Sequence, residues 1–226
     1  MKKNCEQLTK STLFSSIAKE DIEKIMDCIS PRVLKLKRGE FVFRAGESIH
    51  YVYFILSGRL HIVDEDFLGN SSIVETLRTG VLFGEAYVFS SIQTYLVGVA
   101  AAENSVILQM DPKKLFETCS NGCECHEQLV KNAVRICSEK IVRLTAKLGH
   151  VMHRTLREKL LSYLTKCAQL EGTNSFDIPY SRQELADYLC ADRSAVSHEL
   201  SRMQRLGLIR YRKNHFKLLT EHKTTV

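Results

Sequence analysis

One short stretch of the sequence combines cations and short hydroxyls at helical spacing. Between residues 192 and 206 the apolar residues recur at helical spacing, which predicts a helix with one buried face. Those residues are Val196, Leu200, Met203 and Leu206. The other face carries Arg193, Ser194, Ser197, His198, Ser201 and Arg202. Arginine can donate to both acceptors of a guanine edge, and serine and histidine make shorter contacts, so this face suits hydrogen bonding to DNA bases.

The charge distribution places this stretch in the most basic part of the chain. Residues 1–149 hold 19 Lys and Arg against 18 Asp and Glu, whereas residues 150–226 hold 13 against 8. Clustered positive charge on the last third of the chain indicates a polyanionic partner. Arg202 and three further cations are expected to hold the phosphate backbone without reading sequence. They are Arg202, Arg205, Arg212 and Lys213.

Two short helices with a tight turn between them are predicted around the basic face. Ser181 begins the first helix with a capping box, because Glu184 can reach back to the N–H of the cap. We expect this helix to end near Leu189 and Asp192 to cap the next one. Residues 190–191 then form the turn, which is the spacing of a helix-turn-helix.

The segments on either side complete a small domain. After Gly207, residues 208–219 are typical of a β-hairpin with its turn at residues 213–214, which would form a basic wing. Before the two helices, residues 155–170 predict another helix, which Gly172 ends. Its inner face would consist of Leu156, Leu160, Leu161 and Leu164.

The first half of the chain predicts an antiparallel β domain behind a short helix. The helix covers residues 19–29, with apolar residues at helical spacing. Short runs typical of strands follow, separated by turn glycines. These runs begin at residues 33, 40, 51, 59, 71, 96 and 105. Such a pattern predicts a barrel, a roll or a sandwich.

Residues 126–151 predict one long helix with an apolar seam. The seam residues alternate in steps of four and three, which is the spacing of positions that pack against a second helix. They are Val130, Val134, Cys137, Ile141, Leu144, Leu148 and Val151. We expect homodimerisation through this seam, because Lys131, Arg135, Lys140 and Lys147 leave the other faces solvated. The alternative is that the seam packs onto its own β domain.

The chain as a whole resembles the Crp/Fnr family of bacterial transcription regulators. The stretch IPYSRQELADYLCADRSAVSHELSRMQRLGLIR is similar to the family's winged helix-turn-helix, and YFILSGRLHI and GVLFGEA are similar to its cyclic-nucleotide-binding-type roll. The resemblance implies an α+β fold with an antiparallel β-roll (double-stranded β-helix) sensor domain, a long dimerisation helix and a winged helix-turn-helix domain. These would occupy residues 1–125, 126–151 and 152–226.

By this resemblance, a homodimer would bind double-stranded DNA at a palindromic operator, one half-site per subunit, with RNA polymerase as a further partner. The DNA-binding residues would be Ser181, Arg182, Arg193, Ser194, Ser197, His198, Arg202, Arg212 and Lys213. The sequence departs from the family at Cys190, where relatives often carry Gly, and at His198, where they often carry Arg. The operator sequence is therefore not implied by the resemblance.

The resemblance also places an effector pocket on the roll. Relatives that bind cyclic AMP carry a Gly-Glu pair, matched here by Gly84 and Glu85, and an Arg-Ser pair about ten residues later that neutralises the cyclic phosphate. Here Thr94 and Tyr95 stand at that place, without an arginine. A desolvated phosphate without its cation is costly. We therefore expect a small organic effector of unidentified structure in place of a cyclic nucleotide. Four tyrosines could line its pocket, and the alternative is that they belong only to the core. They are Tyr51, Tyr53, Tyr87 and Tyr95.

Cysteines provide an alternative sensor. Cys119, Cys123 and Cys125, followed by His126, stand just before the long helix, where a metal or a disulfide would act on that helix. Iron–sulfur clusters need four thiolates as a rule, and single histidines give no haem-ligating pattern. A redox or metal response through these thiols remains the alternative to reduced, unconnected cysteines.

Other classes of function fit the sequence less well. A β-roll could belong to a cupin-like metal enzyme, but the strands carry no H-x-H metal motif, so we predict no enzyme and no cofactor. A DNA-coating protein would need neither a pocketed roll nor a seam. No apolar run is long enough for a membrane span and no leader is evident, so we expect a cytoplasmic protein without a membrane partner.

Overall fold

A computed structural model of the protein describes residues 7–65, 71–116 and 124–219. The chain divides into two compact units, Met1–Glu139 and Lys140–Val226. The division falls inside the long helix, so this helix contributes to both units. None of the helices in these ranges is long and apolar enough to span a membrane.

The first unit consists of two four-stranded antiparallel sheets with helices beside them. One sheet has the order β1-β8-β3-β6 and the other the order β2-β7-β4-β5. The strands are β1 Arg32–Leu36, β2 Phe41–Phe43, β3 Val52–Ser57, β4 Arg59–Glu65, β5 Ser71–Arg78, β6 Leu82–Phe83, β7 Gly98–Ala101 and β8 Ser105–Met110. Its helices are α1 Lys19–Ile29, α2 Glu85–Val88, α3 Pro112–Phe116 and the first part of α4 Glu124–Val151. The antiparallel roll expected from the sequence is confirmed.

The connection between β3 and β4, which belong to different sheets, depends on one glycine. Gly58 has a φ of +95°, which side chains rarely adopt, and a Cβ at this position would collide with Ser105. The hydroxyl of Ser105 in turn donates to the carbonyl of Glu103 at 2.8 Å. The chain can therefore pass from one sheet to the other here only because position 58 has no side chain.

Two separate cores stabilise the first unit. One lies between the sheets and is rich in aromatic residues, among them Phe43, Tyr53, Phe83 and Tyr95. The other joins the roll to the helices, and α4 contributes Leu129, Ala133 and Ile136 to it. The seam predicted on α4 is a different face of this helix, so one helix both packs on its own domain and presents an apolar stripe elsewhere.

The second unit has the winged helix-turn-helix expected from the sequence. After the end of α4 come α5 Leu156–Glu171, β9 Ser175–Asp177, α6 Arg182–Tyr188, α7 Arg193–Arg205, β10 Ile209–Arg212 and β11 His215–Leu218. The strands form one antiparallel sheet in the order β10-β11-β9. Capping boxes begin both α5, with Thr155 and Glu158, and α6, with Ser181 and Glu184. Gly172 ends α5 in the left-handed conformation.

Three sequence predictions need correction at the level of the elements. Leu206 follows the end of α7 and is 56% exposed, so it does not continue the buried stripe. Asp192 occupies the N-cap position of α7, but its side chain makes no capping hydrogen bond. The long helix begins at Glu124 and not at residue 126.

Candidate nucleic-acid interface and effector site

Helix α7 has one buried face and one polar face. Val196, Leu200 and Met203 are fully buried in the core of the second unit. Arg193, Ser194, His198, Ser201 and Arg202 are exposed, and Ser197 is half-buried between them. The structure therefore brings the predicted base-reading side chains together on one helix face, and α7 is positioned from behind by packing against α5 and α6.

The turn between α6 and α7 requires an unusual backbone conformation. Cys190 has a φ of +51°, in the left-handed region where glycine is usual. Two backbone hydrogen bonds fix the turn, from Cys190 N–H to the Asp187 carbonyl at 3.3 Å and from Ala191 N–H to the Ala186 carbonyl at 3.0 Å. Cys190 therefore adopts this conformation, with backbone strain, at a position where relatives often carry glycine.

The serine hydroxyls on α7 are already bonded within the helix. Ser197 donates to the carbonyl of Arg193 at 2.9 Å, and Ser201 donates to the carbonyl of Ser197 at 3.0 Å. A hydroxyl that donates its proton to its own helix can still accept a hydrogen bond. The Ser197 oxygen can therefore still accept a hydrogen bond.

Arg182 connects the first helix of the motif to the wing. Its guanidinium donates to the carbonyl of Lys213 at 3.1 Å and lies over the rings of Tyr211 and Phe216, 5.3 and 5.7 Å from their centroids. Burial lowers the pKa of Arg182 from its usual value. Among the predicted DNA-binding residues, Arg182 therefore holds the wing turn in place, whereas Arg212 and Lys213 are exposed on the wing itself.

A salt-bridge cluster behind α7 was not predicted from the sequence. Glu199 of α7 accepts from Nε of Arg157 on α5 at 2.7 Å, and its second oxygen lies 3.8 Å from Arg202. The side chains of Arg157 and Glu199 are only 31% and 13% exposed. This pair ties the polar helix to α5, which begins just after the long helix. No sequence signal joins residues 42 positions apart.

The predicted seam on α4 is uncovered in the single chain. Val134, Ile141, Leu144 and Leu148 are each more than half exposed. Val130, Cys137 and Val151 are half-buried. Large apolar side chains in a continuous stripe on the surface are typical of an interface.

The predicted effector residues lie around the aromatic core of the roll. Gly84 precedes α2 with a φ of +86°, and a Cβ there would approach the Tyr51 carbonyl to 3.2 Å. Glu85 and Tyr95 are buried, at 4% and 2% exposure, whereas Thr94 is exposed. The four predicted effector residues therefore do not all line the wall of a single pocket.

Tyr95 is part of an aromatic stack. Its ring lies 3.6 Å from that of Phe43, nearly parallel, and meets Tyr87 edge to face at 5.3 Å. Burial raises the pKa of Tyr95. The phenol is therefore neutral at physiological pH and supplies no charge for an anionic phosphate. Stacking with Phe43 makes Tyr95 a core residue. This is the alternative, left open by the sequence, to a tyrosine that lines an effector pocket.

The cysteine cluster falls mostly outside the described residues. Cys119 and Cys123 lie outside them, and Cys125 is a half-buried free thiol at the start of α4. His126 is buried, and its Nε2 lies 3.1 Å from the carbonyl of Leu115. Within residues 7–65, 71–116 and 124–219, no three His, Cys, Asp or Glu side chains are grouped so that they could hold a metal.

Comparisons with known proteins agree with this architecture. Residues 33–121 match the family described as cyclic nucleotide-binding domain, and residues 158–223 match the Crp-like helix-turn-helix domain. The transcriptional activator protein Anr of Pseudomonas aeruginosa is 26% identical over 199 residues, which are 86% of this chain and 79% of the relative. A CRP-like cAMP-activated global transcriptional regulator of Mycobacterium tuberculosis is 23% identical over 91% of each chain.

Solved structures extend the similarity to the fold. The structure of CprK complexed with OCPA has a TM-score of 0.61 at 14% identity and covers 89% of this chain and 90% of its own. The c-di-GMP responsive global regulator CLP of Xanthomonas campestris has a TM-score of 0.56 at 18% identity, with 90% and 100% covered. The two family matches, over residues 33–121 and 158–223, show that the chain belongs to the Crp/Fnr family of DNA-binding transcription regulators, which are not enzymes.

Proposed function

We propose that the protein acts as a homodimer that binds a palindromic operator and responds to a small organic effector that is not a cyclic nucleotide. The proposal rests on the presence of two exposed surfaces in one chain. Helix α4 exposes an apolar seam, and helix α7 exposes a face of cations and short hydroxyls. The partners would be double-stranded DNA, a second copy of the chain, RNA polymerase and the effector. Residues 1–125, 126–151 and 152–226 would sense, dimerise and bind DNA.

The dimer is supported by the exposed residues of the seam. A twofold axis along α4 would bury Ile141, Leu144 and Leu148 against their own copies, because a symmetric interface uses the same patch on both subunits. Two copies of α7 related by this axis would each face one half-site. The operator is therefore expected to be palindromic.

The DNA-binding residues have distinct proposed roles. Arg193, Ser194, Ser197 and His198 lie in the first turns of α7, the part of such a helix that contacts base edges. Arg202, Arg212 and Lys213 would contact phosphates, as would Ser181 at the start of α6. Arg182 would act through the wing that it holds.

Cyclic nucleotides are disfavoured by the chemistry of the roll. Residues 93–98 include no cation, and Tyr95 is buried in the aromatic stack. A cyclic phosphate in this place would lose its hydration without gaining an opposite charge. The cAMP-activated relative is thus a guide to the fold and not to the effector of this chain.

Selection from a pool of randomised duplexes tests the proposal. We expect a palindrome with two half-sites about one helical turn apart, because α7 is repeated by the twofold axis. Enrichment of no sequence would indicate a DNA-coating protein and would contradict the proposal. Repeating the selection after peroxide treatment tests the alternative, in which Cys119, Cys123 and Cys125 change the affinity for the operator.

A further inference from the structure

A groove lies within the second unit, where α4 ends and α5 begins. It has a volume of about 450 Å³ and is formed by the last turn of α4, the residues that follow it and α5. We call it the hinge groove. Its lining includes His150, His153, Glu158, Leu161, Ser162 and Lys166. All of them belong to the second unit.

The hinge groove contains one lysine ammonium and one carboxylate, and the carboxylate is held at a helix cap. Lys166 is an exposed ammonium, and the ring of the exposed His153 adds a hydrogen-bonding group. The acidic group, Glu158, is used elsewhere: its carboxylate accepts from the N–H of Thr155 at 3.0 Å, as part of the capping box of α5. This hydrogen bond lowers the pKa of Glu158 and ties the carboxylate to the helix end.

His150 joins the two helices at the base of the groove. It is 7% exposed, its Nδ1 lies 2.8 Å from the hydroxyl of Ser162, and its ring meets that of Tyr163 edge to face. Burial, and then the charges of His153 and Lys166, lower the pKa of His150. The imidazole is therefore neutral at pH 7, and a negative charge beside Lys166 would raise its pKa by offsetting the positive field.

We propose that the hinge groove is a binding site for a small organic anion, a carboxylate attached to an apolar body. Lys166 and His153 would bind the carboxylate, the hydroxyl of Thr165 would donate to it, and Leu161 would contact the apolar part. The inference rests on the effector control proposed above and locates a site for it outside the roll. Because α5 packs against α7 in one core, a ligand here can favour one position of the reading helix.

A titration of the full chain with benzoate, at constant ionic strength, tests the site. The Cε1 proton of His150 is followed by NMR, and benzamide is the neutral probe of matched shape. We expect a saturable shift and a raised His150 pKa with benzoate, and roughly five-fold weaker binding of benzamide, since one exposed charge pair is lost. Inorganic phosphate that shifts the signal as strongly as benzoate would overturn the proposal, because the apolar body would then contribute nothing.

Charge-reversal variants locate the effect. Lys166→Glu should abolish the saturable shift, whereas Lys217→Glu on the exposed wing strand β11 should retain it. A His150 signal that does not respond to benzoate, or an unchanged response in Lys166→Glu, would rule the site out. The NMR titration needs no DNA. A failed operator selection would therefore contradict the proposed regulator function, but it would not affect the test of ligand binding in the hinge groove.

Discussion

Arg193 stands exposed at the start of α7, where its backbone carbonyl accepts from Ser197 and its guanidinium extends from the polar face. A guanidinium at this place can bind both acceptors of one guanine. Replacing Arg193 by Ala should therefore relax selectivity at one base position per half-site and weaken operator binding by ~1–3 kcal/mol. Quantitative binding to operators with single substitutions measures both effects.

The matched control is Arg212 on the wing. Arg212→Ala should weaken all DNA sequences about equally and reduce the dependence of affinity on salt, because a phosphate contact carries no sequence information. An Arg193→Ala protein that selects the same palindrome with the same affinity would mean that α7 does not enter the major groove as proposed.

The Arg157–Glu199 pair allows a second prediction at this scale. Both side chains are largely buried and meet at 2.7 Å, so the charges are less screened than on the surface. A double-mutant cycle with Arg157→Ala and Glu199→Ala should give a coupling energy of about 1–3 kcal/mol in unfolding free energy. The exposed pair of Glu127 and Lys131 on α4, also at 2.7 Å, is the control and should give about 0.3–0.5 kcal/mol.

Equal coupling energies in the two cycles would show that the Arg157–Glu199 pair stabilises the fold no more than an exposed surface pair does. The same four proteins, assayed for operator binding, separate stability from positioning. If Glu199 positions α7, the loss of affinity should be specific to the operator and absent for random DNA.

Local and distant residue pairs differ in how well the sequence predicts them. The capping box of Ser181 and Glu184 was predicted because both partners lie within one helical turn, where spacing fixes distance. Arg157 and Glu199 meet only after α5 and α7 have packed, and no local rule selects this arginine among its neighbours. Likewise, the polar face of α7 was predicted, but the hydrogen bonds from Ser197 and Ser201 to backbone carbonyls were not.

At the scale of elements, the long helix α4 shows what periodicity reveals and what it omits. The seam was predicted by its alternating steps, and four of its seven residues are more than half exposed in the single chain, while the other three are half-buried. The second apolar face, with Leu129, Ala133 and Ile136, covers only the first part of the helix and was not singled out. Short elements such as β6, with two residues, offer no period to detect.

The seam yields the third prediction. Ile141→Glu would place two carboxylates at the proposed twofold axis, where burial of unpaired charge is costly. Sedimentation at micromolar concentration should then detect monomers. Glu139→Lys, an exposed charge change about 200° around the helix, should leave the dimer intact. A stable Ile141→Glu dimer would mean that the subunits meet elsewhere.

The junction of α4 and α5 yields a prediction about pH. The groups that face His150 are Ser162, Tyr163, Lys166, His153 and Tyr188. Because the pKa of His150 is lowered in the folded state, the unfolded chain binds more protons just below pH 6.5, and stability falls as pH falls there. The contribution of one histidine cannot exceed about 1.4 kcal/mol per pH unit.

Chemical denaturation of the protein and of His150→Gln between pH 7.5 and 5 checks this sign. The wild-type protein should lose more stability than the variant over this range, since the glutamine amide does not titrate. A difference between the two proteins that is constant with pH would contradict a lowered His150 pKa.

At the scale of the whole molecule, regulation requires that a ligand distinguish two arrangements of the protein. The family assignment identifies the two domains that such regulation would connect. They are a roll of the cyclic nucleotide-binding type and a Crp-like DNA-binding domain. The assignment does not identify the ligand, because the residues of the roll that would meet a phosphate differ from those of the cyclic AMP-binding pattern. Here Thr94 is exposed and Tyr95 is stacked in the core.

The last prediction follows from this difference. Cyclic AMP and cyclic GMP at millimolar concentration should leave operator affinity unchanged, since neither finds a cation between residues 93 and 98 to replace the hydration of its phosphate. Fluorescence anisotropy with a labelled operator measures this directly. If the thiols were the switch, peroxide would change the affinity, reductant would reverse the change, and Cys119→Ser or Cys123→Ser would abolish it. A strong response to cyclic AMP would contradict the interpretation of residues 93–98 as lacking a phosphate site.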